Sequence, residues 1–183
     1  MEQGATHITL VDSTGIIHRD RSDLTAVKSA MLETTNPENT QGGIADAMRG
    51  ADVFIGLSAA DTITPEMVSS MAKDSIVFAM ANPIPEIWPE DARAAGAAVV
   101  GTGRSDFPNQ INNSLVFPGV FRGALDSHAT RVTTRMKLAA ANALAALVAE
   151  PTPERVIPWS LDPEVVPAVS HAVAQAWHAD NPH

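Results

Sequence analysis

A chain of 183 residues is long enough for one ordinary domain with a core of normal size. Twelve basic residues against 21 acidic ones give a formal net charge of -9, which excludes nucleic acid as the main partner, because a phosphate backbone needs a basic face. Cysteine is absent, which removes disulfide frameworks and thiolate metal sites, and no run of about 18 apolar residues offers a membrane span.

Met1 to Gly4 carries neither the basic nor the apolar region of a secretory signal, so a cytoplasmic protein is the expectation. Residues 7 to 11, His-Ile-Thr-Leu-Val, read as a short buried strand ending at Asp12, with Ser13-Thr14-Gly15 as the turn and Ile16-Ile17-His18 as a small edge strand. An aspartate closing a strand of a parallel sheet can accept two hydrogen bonds from a ribose diol; the alternative for Asp12 is that it caps its own turn. Ser22-Asp23-Leu24 opens a helix with Leu24, Val27, Ala30 and Met31 on one apolar face, ending before Asn36-Pro37.

A short helix over Ile44 to Met48 is stopped by Gly50, and 52 to 58, Asp-Val-Phe-Ile-Gly-Leu-Ser, is a strong strand. Thr64-Pro65-Glu66 starts a helix with a capping hydroxyl and proline at the first helical position. The apolar run Ser75 to Met80 stops at Ala81-Asn82-Pro83, so a buried strand delivers an asparagine to its carboxyl end and Pro83 prevents continuation. Pro89 to Gly96 is a further short helix, and Ala97-Ala98-Val99-Val100 a further strand, opening into Gly101-Thr102-Gly103-Arg104-Ser105-Asp106 and the amide-rich stretch from Asn109 to Asn113.

Strand and helix alternating at this spacing predict an α/β fold with a parallel sheet and crossover helices, and ligands of such sheets bind outside the carboxyl ends of the strands. From Ile111 onward the pattern turns helical, over roughly 111 to 126, Thr133 to Ala149 and Asp162 to Ala179, with Glu150-Pro151-Thr152-Pro153 as a linker.

Gly101-x-Gly103 lacks a third glycine and does not match a dinucleotide fingerprint. Gly119-x-x-x-Gly123 reads as close helix packing. The histidines at 7, 18, 128, 171, 178 and 183 form no ligand cluster; Trp159 and Trp177 read as packing residues, and Trp88 as packing beside the active edge. Asn82 has a turn-forming explanation and Asn112-Asn113 a helix-capping one. Both open on the same sheet edge, close to Ser58 from a third strand. Neutral donors and acceptors gathered there suit a sugar, a carboxamide or a carboxylate.

The sequence from Gly50-Ala51-Asp52 to Ser58, through Thr64-Pro65-Glu66-Met67, Ala81-Asn82-Pro83, Pro85-Glu86-Ile87, Gly103-Arg104-Ser105-Asp106-Phe107-Pro108-Asn109-Gln110, Asn112-Asn113 and Phe117-Pro118-Gly119 to Asp126, resembles the bacterial malic enzymes over about His7 to His171. The resemblance implies a Rossmann-like parallel sheet lacking its first strand, followed by C-terminal helices: residues 1–126 a partial NAD(P)-binding domain, 127–183 a helical extension packed on it. It implies hydride transfer from malate to NAD or NADP, followed by decarboxylation to pyruvate on a divalent metal, Mg or Mn. Asp12 would face the adenosine ribose, Ser58 would lie beside the cofactor, Asn82 and Asn113 would meet cofactor and substrate, and Asn112 would assist at the substrate; Ser13 falls where a 2′-phosphate would be tolerated or refused.

The family's tyrosine acid, lysine base, metal carboxylates and glycine-rich loop have no counterpart here; there is no tyrosine, and Lys28, Lys73 and Lys137 are the only lysines. The expectation is therefore an isolated chain without activity, with no catalytic or metal-ligating residue of its own. It should self-associate as a homo-oligomer or pair with a missing N-terminal half, because the absent strand belongs between those at 7 and 52. The alternative is a non-catalytic binding or assembly module derived from a malic enzyme subunit. Phosphotransacetylase-type chemistry has no supporting motif.

Overall fold

The structure, a computed structural model, describes residues 2–181. Its centre is a parallel sheet formed by the three apolar runs: β3 (Val53–Gly56), β4 (Ile76–Ala79) and β5 (Val99–Thr102), in the order β3-β4-β5. Val53 pairs with Ile76 and Gly56 with Ala79; Ile76 pairs with Val99 and Ala79 with Thr102. The strands start and end level, so their carboxyl ends share one edge.

Short helices make the crossovers. α2 (Ile44–Met48) precedes β3, α3 (Pro65–Ser69) joins β3 to β4, and α4 (Pro89–Ala94) joins β4 to β5. The Thr64 hydroxyl caps α3 by accepting from Met67 N at 3.4 Å, and proline occupies the first helical position of α3 and α4, where no N–H is needed. Because side chains alternate across a strand, Val77, Ala79 and Val100 fall on one face and bury against Met48, Val68, Met71 and Ala92. Each large apolar side chain so buried contributes about 1.5–3 kcal/mol. On the other face, at the free edge, Val53, Ile55 and Leu57 remain 47%, 59% and 79% exposed.

The expected buried strand over 7 to 11 is corrected. Only β1 (Val11–Asp12) forms, and it pairs antiparallel with β2 (Gly15–Ile16), in a hairpin separate from the parallel sheet. With no parallel neighbour for residues 7 to 10, Ile8 and Leu10 offer backbone carbonyls to Asn36 N and Ile17 N instead, each at 2.8 Å. α1 (Ala26–Met31) also departs from expectation. Its cap is Thr25, because Asp23 is drawn to Arg21, and the predicted apolar face has nothing to cover: none of its residues is buried, and Val27 and Met31 face solvent.

A second core joins α5 (Phe117–Asp126), α6 (Thr134–Ala146) and α7 (Val165–Asp180) around Leu115, Met136, Val165, Val169 and Val173. A one-turn 3-10 segment, Asn113–Leu115, leads into α5. α5 lies so close to α7 that a Cβ at Gly119 would stand 2.6 Å from Cβ of Val169, which is the close packing expected of the glycine pair. Trp177 packs on this core as expected, whereas Trp159, expected to pack, is 70% exposed. Among the described residues no helix is long and apolar enough to cross a membrane. His183 lies outside the described residues.

Candidate functional site

The carboxyl edge of the sheet gathers the residues that the strand pattern singles out. Ser58 follows β3, Asn82 follows β4 across a cis Asn82–Pro83 peptide, and the amide-rich stretch follows β5. Ser58 and Asn82 are both exposed, yet their loops are held together from behind by Glu86. One carboxylate oxygen of Glu86 accepts from Ser58 N at 2.8 Å, and the other accepts from Ala81 N at 3.0 Å. Glu86 itself is fully buried. Nothing in sequence spacing points to its role, because Ser58, 28 positions away, becomes its neighbour only when β3 and β4 pair.

A second tie runs from the β5 side. The Arg104 guanidinium forks onto Asp106 at 2.9 and 2.7 Å, donates to the Pro83 carbonyl at 2.7 Å, and lies over the rings of Trp88 and Phe107. Asp106 raises the Arg104 pKa and is itself held below the ordinary carboxylate range by that guanidinium. Trp88 is therefore half-buried under the arginine, at the rim of the edge. Gly103 completes the joint: a Cβ there would overlap the Asn82 amide nitrogen, so the backbone after β5 can approach Asn82 only without a side chain.

The amides at 109 to 113 do not act as one group. Asn109 is buried with φ +55°, a conformation asparagine tolerates; its amide donates to the carbonyls of Val100 and Pro153 at 3.1 and 2.8 Å, and its oxygen accepts from Val156 N at 2.8 Å. Gln110 accepts from the Ser160 hydroxyl at 3.0 Å. Asn112 caps the 3-10 turn through Ser114 N at 2.9 Å, the capping reading. Asn113 begins that turn and is exposed.

Asp12 sits in the hairpin, not in the parallel sheet, and its carboxylate is already engaged. Arg21 forks onto it at 2.9 and 3.0 Å, Lys28 reaches it at 2.6 Å, and Thr14 N donates at 2.9 Å. The Arg21 guanidinium, then the Lys28 ammonium, hold the Asp12 carboxyl far below its usual range; Arg21 pushes Asp23 down to about 2. Asp12 therefore caps its turn through Thr14 N and also anchors two cations, and any ribose hydroxyl would have to share its oxygens with them. Among the described residues no group of three or more His, Cys, Asp or Glu stands close enough to hold a metal ion, so these residues do not fit a resident divalent metal.

A crossover-connected parallel sheet that presents a serine and asparagines at its carboxyl edge defines a Rossmann-like domain of the nucleotide-binding class. Residues 1–178 match the family described as malic enzyme, NAD binding domain, and the chain belongs to that family. It is 54% identical over 176 residues to the bifunctional malic/malolactic enzyme of Bacillus subtilis, covering 94% of this chain and 43% of that protein. It is 43% identical to the NADP-dependent malic enzyme of Halomonas elongata, over 93% of this chain and 43% of that one. The solved NAD-dependent malic enzyme of Thermotoga maritima superposes with a TM-score of 0.90 at 41% identity, over 94% of this chain and 46% of that one. The chain thus spans less than half the length of these relatives.

Proposed function

We propose that this chain is the NAD(P)-binding portion of a malic enzyme that converts malate to pyruvate and CO2, and that it does not turn over alone. The observation that carries the reading is the shared carboxyl edge of β3, β4 and β5, where one buried carboxylate ties the backbone at Ser58 to the backbone at Ala81, the residue before the exposed Asn82. A nicotinamide nucleotide would be held there by Ser58, Asn82 and Asn113, and the dicarboxylate substrate by Asn82, Asn112 and Asn113. Asp12 is assigned to the adenosine end, where Arg21 and Lys28 add positive charge beside the ribose. When bound, NAD or NADP supplies the hydride acceptor.

The functional division falls at 126/127, with residues 127–183 supporting the nucleotide-binding portion; by packing, α5 belongs with α6 and α7. The acid, the base and the metal ligands of the reaction come from residues that this chain does not contain, as the absence of tyrosine illustrates. The exposed Val53, Ile55 and Leu57 favour a second reading, in which the chain is an assembly module that docks on a fuller subunit without chemistry of its own.

The test is malate-dependent reduction of NAD or NADP by the purified 183-residue chain, alone and mixed with the N-terminal half of a related malic enzyme. Activity absent alone and regained on mixing is the expected result. A complex without activity supports the assembly module, and turnover by the chain alone overturns both readings.

A further inference from the structure

The loop after β3 has no helix or strand to organise it, yet it must hold a backbone N–H and a side chain at a fixed place on the sheet edge. The Pro85-Glu86 segment does this. Besides the two carboxylate bonds to Ser58 N and Ala81 N, the Pro85 carbonyl accepts from Asp61 N at 3.1 Å and the Glu86 carbonyl from Ile63 N at 3.2 Å. The β3 loop is therefore hung at 58, 61 and 63 on one dipeptide that itself lies just past β4.

Burying a carboxylate is costly unless its oxygens are satisfied, and a packed apolar side chain of the same volume would serve a core as well. What the carboxylate offers instead is two acceptors and no donor, matched to two N–H groups in the loops that follow two different strands. Gly56, the last residue of β3, leaves the room: a Cβ there would stand 2.5 Å from the Glu86 carboxyl carbon.

We propose that Glu86 is a positioning residue of the coenzyme site: its buried carboxylate sets the spacing between the Ser58 and Asn82 loops, and so the affinity for the nicotinamide end of the coenzyme. This rests on the dinucleotide reading above. Asp12, the residue assigned to the adenosine end, shares no strand ladder with this edge, so a lesion at Glu86 is felt by one half of the ligand only.

The experiment titrates NAD and, separately, ADP-ribose into the wild-type chain and Glu86→Gln, followed by NMR on the Ser58 and Ala81 amides and the Trp88 indole, with amide exchange measured on both proteins. Glutamine keeps the shape but turns an NH2 toward one of the two N–H groups. The expected result is NAD affinity lower by on the order of tenfold with ADP-ribose affinity unchanged, and faster exchange over 57–63 and 80–86 while α5 to α7 keep their protection. NAD binding equal to wild type overturns the proposal, as does an equal loss of both ligands together with a uniform rise in exchange, which marks a structural role. Wild-type chain that binds neither ligand overturns the dinucleotide reading itself and this proposal with it. Should Glu86→Gln not fold, Glu86→Asp decides by the same criteria, since it keeps the charge and is one methylene short of spanning both amides.

Discussion

At Asp12 a single carboxylate holds the hairpin to the start of α1 by binding Arg21 and Lys28 at once, and its loss should show as a change in the shape of the acid limb of stability. The folded pKa values of Asp12 and Asp23 lie below their ordinary ones, Asp23 at about 2, so the native state binds fewer protons than the unfolded chain in acid. Their contribution is present above about pH 4 and is lost as pH falls toward 2 and below. Asp12→Asn should lower the thermal midpoint near pH 7 by roughly 3–6 °C, for about 1–2 kcal/mol, and flatten the fall in Tm between pH 4 and 2. Thermal melts at stepped pH check this; a variant with the wild-type slope would show that the ion pairs are solvent-screened. The sequence makes Asp12 visible as the acid closing a strand, but its cations lie nine and 16 positions away in no recognisable pattern. The same holds for Asn109, whose bonds to Pro153 and Val156 span 44 and 47 residues and make it a structural tie where the run of amides suggests a ligand group. The tie from Glu86 to Ser58, 28 positions away, is silent for the same reason.

Elements were legible where burial is local and periodic. β3 and β4 follow from apolar runs closed by Ser58 and Asn82, β5 from the run at 97 to 100, which it overlaps at Val99 and Val100 before running on to Thr102, and α3 and α4 from proline at the first helical position. The hairpin was legible in its turn at 13 to 15 and its second strand from Ile16, and α1 as a helix, but their burial was not: the first strand shrinks to Val11–Asp12, and Val27 and Met31 face solvent because an apolar pattern without a partner layer does not bury. The glycine pair in α5 was legible in kind, and its partner on α7 makes it testable. At Gly123 a Cβ would overlap the Ser170 carbonyl oxygen and stand 2.9 Å from Cβ of Val173, both rigid parts of α7. Gly123→Ala gains about 1 kcal/mol of helix propensity but must push the two helices apart, at about 1–3 kcal/mol or more of lost packing. The expected net is a lower thermal midpoint with helical content by circular dichroism unchanged at 20 °C; a midpoint raised above wild type would show that α5 and α7 can separate at no cost.

For the molecule as a whole, the decisive feature is that the sheet is covered on one face and open on the other at its β3 edge. An edge strand presents unpaired backbone groups, and here it also carries Val53, Ile55 and Leu57 outward without the lysines or prolines that usually blunt such edges. Exposed apolar area next to an open ladder favours association, so the chain alone should self-associate through β3, with a weight-average mass that rises with concentration. The net charge of -9 opposes this only weakly at physiological salt, where screening acts over about 8 Å. Ile55→Lys places a charge in the middle of the strand on its open face, where 59% exposure means little core packing is lost. It should shift the chain to monomer at concentrations where wild type associates, with a thermal midpoint within a few degrees of wild type. Sedimentation velocity over a hundredfold concentration range separates the outcomes: a wild-type chain that stays monomeric throughout would mean that this edge is closed by the chain's own residues in solution, and an Ile55→Lys variant that associates as strongly would mean that the chain associates through another surface. If the edge is the interface, the same substitution should also block recovery of activity when the N-terminal half is added, because a missing strand and a second copy would compete for one set of backbone groups.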